Sequence, residues 1–158
     1  LLNYLKNAEN ELGGKNIRIK VIGEKKGLPE DIQKEITRVT KATEANRGLT
    51  LVIALNYGGR DEIISGVKEI IKDIHSGRLK AEDITEETLS SKLYTAGIPE
   101  PDLLIRTSGE KRISNFLLWQ TAYTEFWFSD IYWPDIREEH IMEAIREYQG
   151  RHRRFGGV

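Results

Sequence analysis

The chain has 158 residues, enough for one well-buried core and too few for two. Lys plus Arg total 24 against 25 Asp plus Glu, a net charge of −1 that excludes a generally basic nucleic-acid binder but leaves room for a local basic site. The absence of cysteine excludes a disulfide scaffold, an iron–sulfur cluster and a thiolate zinc centre, and His75, His140 and His152 are too scattered to ligate one metal. No apolar run approaches the roughly 20 residues that cross a bilayer, and no signal-peptide pattern is present. A single cytoplasmic domain, residues 1–158, is the expectation.

Hydrophobic periodicity alternates between helix and strand along the chain. Residues 1–12 read as the end of an amphipathic helix (Leu1, Leu2, Leu5, Leu12) closed by Gly13 and Gly14. Residues 17–22 alternate β-branched and polar side chains, as a strand does. Pro29, Glu30 and Asp31 suit the first turn of a helix whose buried face is Ile32, Ile36 and Val39. Residues 49–55 are almost continuously apolar, the mark of a parallel strand covered on both faces. Ile63, Ile64, Val67, Ile70, Ile71 and Ile74 then trace a helical face that Gly77 can stop.

A shorter helix is expected over 86–96, before Gly97, Pro99 and Pro101, and a buried strand over 103–105. Residues 116–123 read as helix and 126–128 as extended chain. The last helix spans 137–149, with Ile141, Ile145 and Tyr148 on one face. This alternation predicts an α/β fold with a mainly parallel sheet flanked by helices.

In open α/β sheets, ligands bind beyond the carboxyl ends of strands. Two such ends are polar and glycine-bearing: residues 56–62, and residues 106–115. The second carries Arg106, Lys111 and Arg112 with several hydroxyls and Gly109, directly before the expected helix. Arginine forks match phosphate oxygens, so this loop reads as a diphosphate cradle or, more plainly, as a solvated loop paired with Glu110. Just downstream, all three tryptophans fall within residues 119–133. Those aromatics either wall an apolar pocket or form core and a subunit interface, the commoner use of such a cluster. Glu125 among them requires a partner: a basic side chain by default, otherwise another cation or a metal.

The run from Asp102 to Gln120 resembles the cis-prenyltransferases, in their undecaprenyl diphosphate synthase branch. The resemblance continues through Ala122, Tyr123 and Glu125, through Trp133-Pro134-Asp135, and through the terminal Arg153-Arg154-Phe155-Gly156-Gly157. Upstream, Asn56-Tyr57-Gly58-Gly59-Arg60 is similar to another family motif, and Gly23 to Pro29 to a weaker one in which Glu24 stands where Asp is frequent. The resemblance implies elongation of an allylic diphosphate, such as farnesyl diphosphate, by isopentenyl diphosphate, with cis double bonds and release of pyrophosphate. It implies that Arg106, Arg112 and Ser114 hold the isopentenyl diphosphate head group, that Ile113 contributes backbone, and that Glu125 ligates Mg²⁺. It further implies a homodimer in which Arg153 and Arg154 reach the neighbouring subunit's diphosphate. Product release would involve peripheral membrane contact only. The Asn56–Arg60 motif is expected to shape a turn beside the site.

The family's aspartate-bearing phosphate loop, of the form Met-Asp-Gly-Asn-Gly-Arg-Trp-Ala, is not found in these residues, and the sequence does not open with Met. The expectation is therefore a C-terminal part of such an enzyme, with no assignable catalytic residue and no activity by itself. Two other readings stand beside this one. A catalytically silent subunit of a heteromer would not need Arg106, Arg112, Ser114 and Glu125. Nucleic-acid binding through Arg151-His152-Arg153-Arg154 would reach only a few phosphates.

Overall fold

The computed structural model describes residues 6–7 and 15–151. The helix expected over residues 1–12 lies outside the described residues apart from Lys6 and Asn7, which are helical. So do Arg153 and Arg154. The described elements are β1 (Arg18–Ile22), α1 (Glu30–Ala42), β2 (Thr50–Ala54), α2 (Gly59–His75), α3 (Glu86–Ser90), β3 (Leu103–Arg106), β4 (Glu125–Phe128) and α4 (Glu138–Gln149). They fall into two compact units, residues 1–96 and 97–158.

In the first unit, β1 and β2 pair in parallel, Arg18 with Thr50 through Ile22 with Ala54. The crossover between them is α1, begun by Pro29 and opened by Glu30 and Asp31 at its electropositive end. Its inward residues Ile36 and Val39 meet Ile19 in a fully buried cluster, with Val21, Leu28, Ile32, Ile53 and Leu55 packed around it. Thr43, just beyond the helix, accepts a hydrogen bond from the Ile19 amide at 3.0 Å and donates one to the Val39 carbonyl at 2.9 Å. That side chain satisfies a strand amide that would otherwise be buried without a partner. Gly23, after β1, has φ +111°, and a Cβ there would meet the Leu55 carbonyl oxygen at 2.1 Å. Only glycine fits where these two segments approach.

Helix α2 buries Gly66 and Ile70, and Leu89 and Leu93 approach Gly66 closely. The expected apolar face is only partly covered, since Ile64, Val67 and Ile71 remain exposed. The helix expected over 86–96 is regular only over α3, after which the chain turns repeatedly up to Gly97 at φ +73°. Asp73 pins this region, accepting from Arg78 Nη2 and from Lys92 Nζ, both at 2.5 Å. The Lys92 ammonium first, and the Arg78 guanidinium next, hold its carboxyl below the ordinary carboxylate range. A depressed carboxyl contributes stability that is complete above its unfolded pKa, about 3.9, and is lost as pH falls through the folded value. Urea midpoints of the protein and of Asp73→Asn should therefore differ fully at pH 5 and above and converge as the pH drops below about 4.

In the second unit β3 and β4 pair in parallel, Leu103 with Glu125 through Arg106 with Phe128. Trp127 and, on α4, Ala144 are buried, with Ile141, Ile145 and Tyr148 half-buried along the same helix. Residues 116–117 bend and 118–123 turn, in place of the expected helix. Ser114, Asn115 and Leu117 all have positive φ, and no right-handed helix starts through three such residues. The aromatics divide: Trp127 is core, whereas Tyr123, Tyr132 and Trp133 are about two-thirds exposed. No described helix is long and apolar enough to cross a membrane.

Candidate functional site

Each unit has a loop at the carboxyl ends of its parallel strands. Their charges differ.

In the first unit, Asn56 adopts φ +47°, donates its amide to the Glu24 carbonyl at 2.9 Å and accepts the Glu24 amide at its own carbonyl, 3.2 Å. Tyr57 donates its hydroxyl to Glu62 Oε2 at 2.5 Å, and Glu62 Oε1 accepts the Tyr94 amide at 2.7 Å. Glu62 is 1% exposed. The Asn56–Arg60 motif thus braces two loops and fixes the segment around Tyr94, as a structural turn would. A cavity of about 370 Å³ beside it is lined by Glu24, Asn56, Asp61, Ser65, Lys68 and Tyr94, among others. Burial first, and the nearby Glu24 carboxylate next, push the Tyr94 hydroxyl up. Two carboxylates against one lysine make this cavity a poor host for a diphosphate.

The second unit offers the opposite. Arg106 ends β3 half-buried, with no acidic partner among the described residues. Desolvated arginine without a counter-ion is unfavourable, so such a position suits an incoming anion. The loop after it is stapled at its root. Ser108 and Gly109 donate their amides to the carbonyls of Ile131 and Ser129, at 2.9 and 3.0 Å, and Ser129 donates to Arg106 at 2.9 Å. Those two amides are spent and cannot hold phosphate. Ser108 and Gly109 are left-handed, as are Ser114 and Asn115, so the loop turns sharply at both ends. Between the turns, Arg112 is exposed and paired with Glu110, and Ser114 is exposed. Ile113 is half-buried, and its carbonyl accepts the Phe116 amide at 3.2 Å. Arg106, Lys111 and Arg112 against Glu110 leave the loop positively charged.

Glu125 is not brought to this loop. It opens β4 opposite Leu103, while Arg106 lies three residues further along the ladder, about 10 Å of strand. Its carboxylate Oε2 accepts from Arg151 Nη1 at 2.7 Å. Arg151 also donates to the Phe126 carbonyl at 2.9 Å and to Glu147 Oε1 at 2.5 Å, and Glu147 first, then Glu125, raise its guanidinium above the ordinary range. The carboxylate among aromatics thus has a basic partner. No cluster of three metal-ligating side chains occurs among the described residues. Glu125 Oε1 is a hard oxygen donor, which fits one carboxylate ligand of a Mg²⁺ ion whose other ligands are phosphate oxygens and water.

Sequence reasoning missed Arg151 as a partner for Glu125 and Glu62 as a buried lock. The first had a signal, the Glu147/Arg151 spacing of four residues at a helix end. The second had none, because an acid in the first turn of a helix is ordinarily a solvated dipole partner.

Comparison with known proteins gives concordant matches. The family model described as "Putative undecaprenyl diphosphate synthase" matches residues 1–156. An isoprenyl transferase of Bacillus cereus is 53% identical over 148 residues, 94% of this chain and 57% of that protein. One of Clostridium tetani is 51% identical over 158 residues, all of this chain and 62% of that protein. The chain therefore spans about three-fifths of the length of these curated relatives. Among solved structures, lavandulyl diphosphate synthase from Lavandula x intermedia, in complex with dimethylallyl diphosphate, superposes with a TM-score of 0.93 at 36% identity, covering 98% of this chain and 67% of that one. A probable undecaprenyl diphosphate synthase from Campylobacter jejuni gives 0.85 at 33% identity, covering 98% and 70%.

Proposed function

The chain belongs to the undecaprenyl diphosphate synthase family of cis-prenyltransferases, and from that membership we propose that it serves cis-prenyl chain elongation. In this reading isopentenyl diphosphate condenses onto an allylic diphosphate such as farnesyl diphosphate, pyrophosphate leaves, and a long polyprenyl diphosphate such as undecaprenyl diphosphate results. The dimethylallyl diphosphate bound to the lavandulyl relative supports an allylic diphosphate as one substrate. The observation that carries the reading is Arg106, half-buried at a strand's carboxyl end without an acidic partner among the described residues, at the root of a positive loop.

Arg106 anchors the isopentenyl diphosphate head group, and Arg112 exchanges Glu110 for a phosphate oxygen. Ser114 donates its hydroxyl, and the Ile113 backbone adds a donor. Held at this end, the substrate presents its double bond in one orientation, so positioning contributes to the rate. The fixed guanidinium charge costs little reorganisation as the reaction proceeds. Glu125 would supply one ligand to Mg²⁺, and the ion would there offer positive charge to offset that of a departing pyrophosphate. The protein acts as a cytoplasmic homodimer in which Arg153 and Arg154 reach the partner's diphosphate, with peripheral membrane contact when product leaves. Exposed Tyr123, Tyr132 and Trp133 support an apolar interface.

These 158 residues hold the isopentenyl side without the aspartate-bearing loop of the allylic side, so by themselves they bind without turnover. Labelled isopentenyl diphosphate should bind saturably to the chain. Incubation with farnesyl diphosphate, labelled isopentenyl diphosphate and Mg²⁺ should yield no long extractable product. Absence of saturable binding would overturn the diphosphate site; robust elongation would overturn the half-site assignment.

A further inference from the structure

The proposed reaction gives Arg151 no task, yet it ties three groups together. One nitrogen bonds the Glu125 carboxylate and the Phe126 carbonyl, and the other bonds Glu147. The side chains of Arg151 and Glu125 are each about 30% exposed, so water screens their attraction incompletely. We infer that Arg151 is the resident cation of Glu125 and competes with a divalent metal ion for it, so that metal occupancy and the anchoring of Arg151 to β4 are linked. This rests on the reading of Glu125 as a metal ligand.

The competition follows from charge and from the arrangement of partners. A metal ion on Glu125 would meet a guanidinium already seated on Oε2. The guanidinium lowers the negative potential that attracts the ion and repels it directly. Glu147, one helical turn before Arg151, makes the exchange feasible, because an Arg151 that leaves Glu125 keeps one carboxylate. Two arrangements result: Arg151 bridging β4 and α4, or Arg151 on Glu147 alone with Glu125 given to the metal. By linkage, whatever Arg151 does to metal affinity, the metal does equally to the hold of Arg151 on β4.

Mg²⁺ titration calorimetry at a saturating concentration of pyrophosphate, on the protein, on Arg151→Gln and on Glu125→Gln, tests this. Arg151→Gln should bind Mg²⁺ about tenfold more tightly, and Glu125→Gln should lose the site. Unchanged affinity in Arg151→Gln, with loss in Glu125→Gln, would overturn the competition while keeping Glu125 as a ligand. Unchanged affinity in Glu125→Gln would overturn the ligand reading and the competition with it. A second measurement needs no variant: trypsin must seize the arginine side chain, and Mg²⁺ would leave Arg151 held by one carboxylate in place of two, so saturating Mg²⁺ should speed cleavage after Arg151 severalfold. Cleavage after Arg78, which Asp73 holds, is the internal standard. An unchanged ratio of the two rates would equally overturn the inference.

Discussion

Truncating Arg106 to alanine should weaken isopentenyl diphosphate binding about 10- to 150-fold, equivalent to roughly 1.5–3 kcal/mol, the usual scale for a hydrogen bond to a charged group. The side chain is half-buried and has no acidic neighbour to lose among the described residues, so the substrate gains its full charge. Arg106→Lys should recover little, because a point charge does not reproduce a planar fork on two phosphate oxygens. Arg112→Ala should cost less, about 0.5–1.5 kcal/mol. Arg112 is exposed and must first release Glu110. Calorimetric dissociation constants decide it, and equal effects at both positions would contradict this ranking of the two arginines.

Replacing Glu62 by alanine should lower folding stability by about 2–4 kcal/mol, without touching the positive loop. The carboxylate is 1% exposed and accepts from both the Tyr57 hydroxyl and the Tyr94 amide. Its removal strands two donors, at about 1–3 kcal/mol each, and is partly offset by the desolvation cost of the lost charge. Glu62→Gln keeps the shape and one acceptor oxygen, so it should cost about 1 kcal/mol. Urea denaturation gives both values, and the order of the two variants matters more than either magnitude. An alanine variant as stable as the glutamine variant would mean that Tyr57 and Tyr94 find other partners.

The four strands among the described residues were legible because residues 17–22, 49–55, 103–105 and 126–128 combine β-branched or aromatic residues with short length. Helices α1, α2 and α4 were legible from their apolar faces. Residues 116–123 were not: Phe116, Trp119 and Tyr123 have helical spacing, but left-handed Ser114, Asn115 and Leu117 override it. Positive φ at three non-glycine residues leaves no mark in the hydrophobic period from which a helix is read. Exposure was misjudged for the same class of reason. Ile64, Val67 and Ile71 carry a core-like period, yet they remain 54%, 39% and 45% exposed. At the candidate site, the sequence pointed to Arg106, Arg112 and Ser114 by residue type and motif. It did not reveal that Ser108 and Gly109 have no amide to offer, nor that Glu125 lies a full ladder away and already holds a cation.

The parallel pairing also governs how the chain reaches its native state. Arg18 finds Thr50, and Leu103 finds Glu125, only after the intervening residues have folded back, so neither ladder grows from a tight hairpin. Loop closure must precede the first rung of either ladder, which places this chain among slower folders for its size. In the first unit the buried contact of Ile36 and Val39 with Ile19 is what can hold that closure while the rungs form. Truncations at Ile36 or Val39 would then act on the refolding rate more than on the unfolding rate, the signature of a transition state already organised around α1.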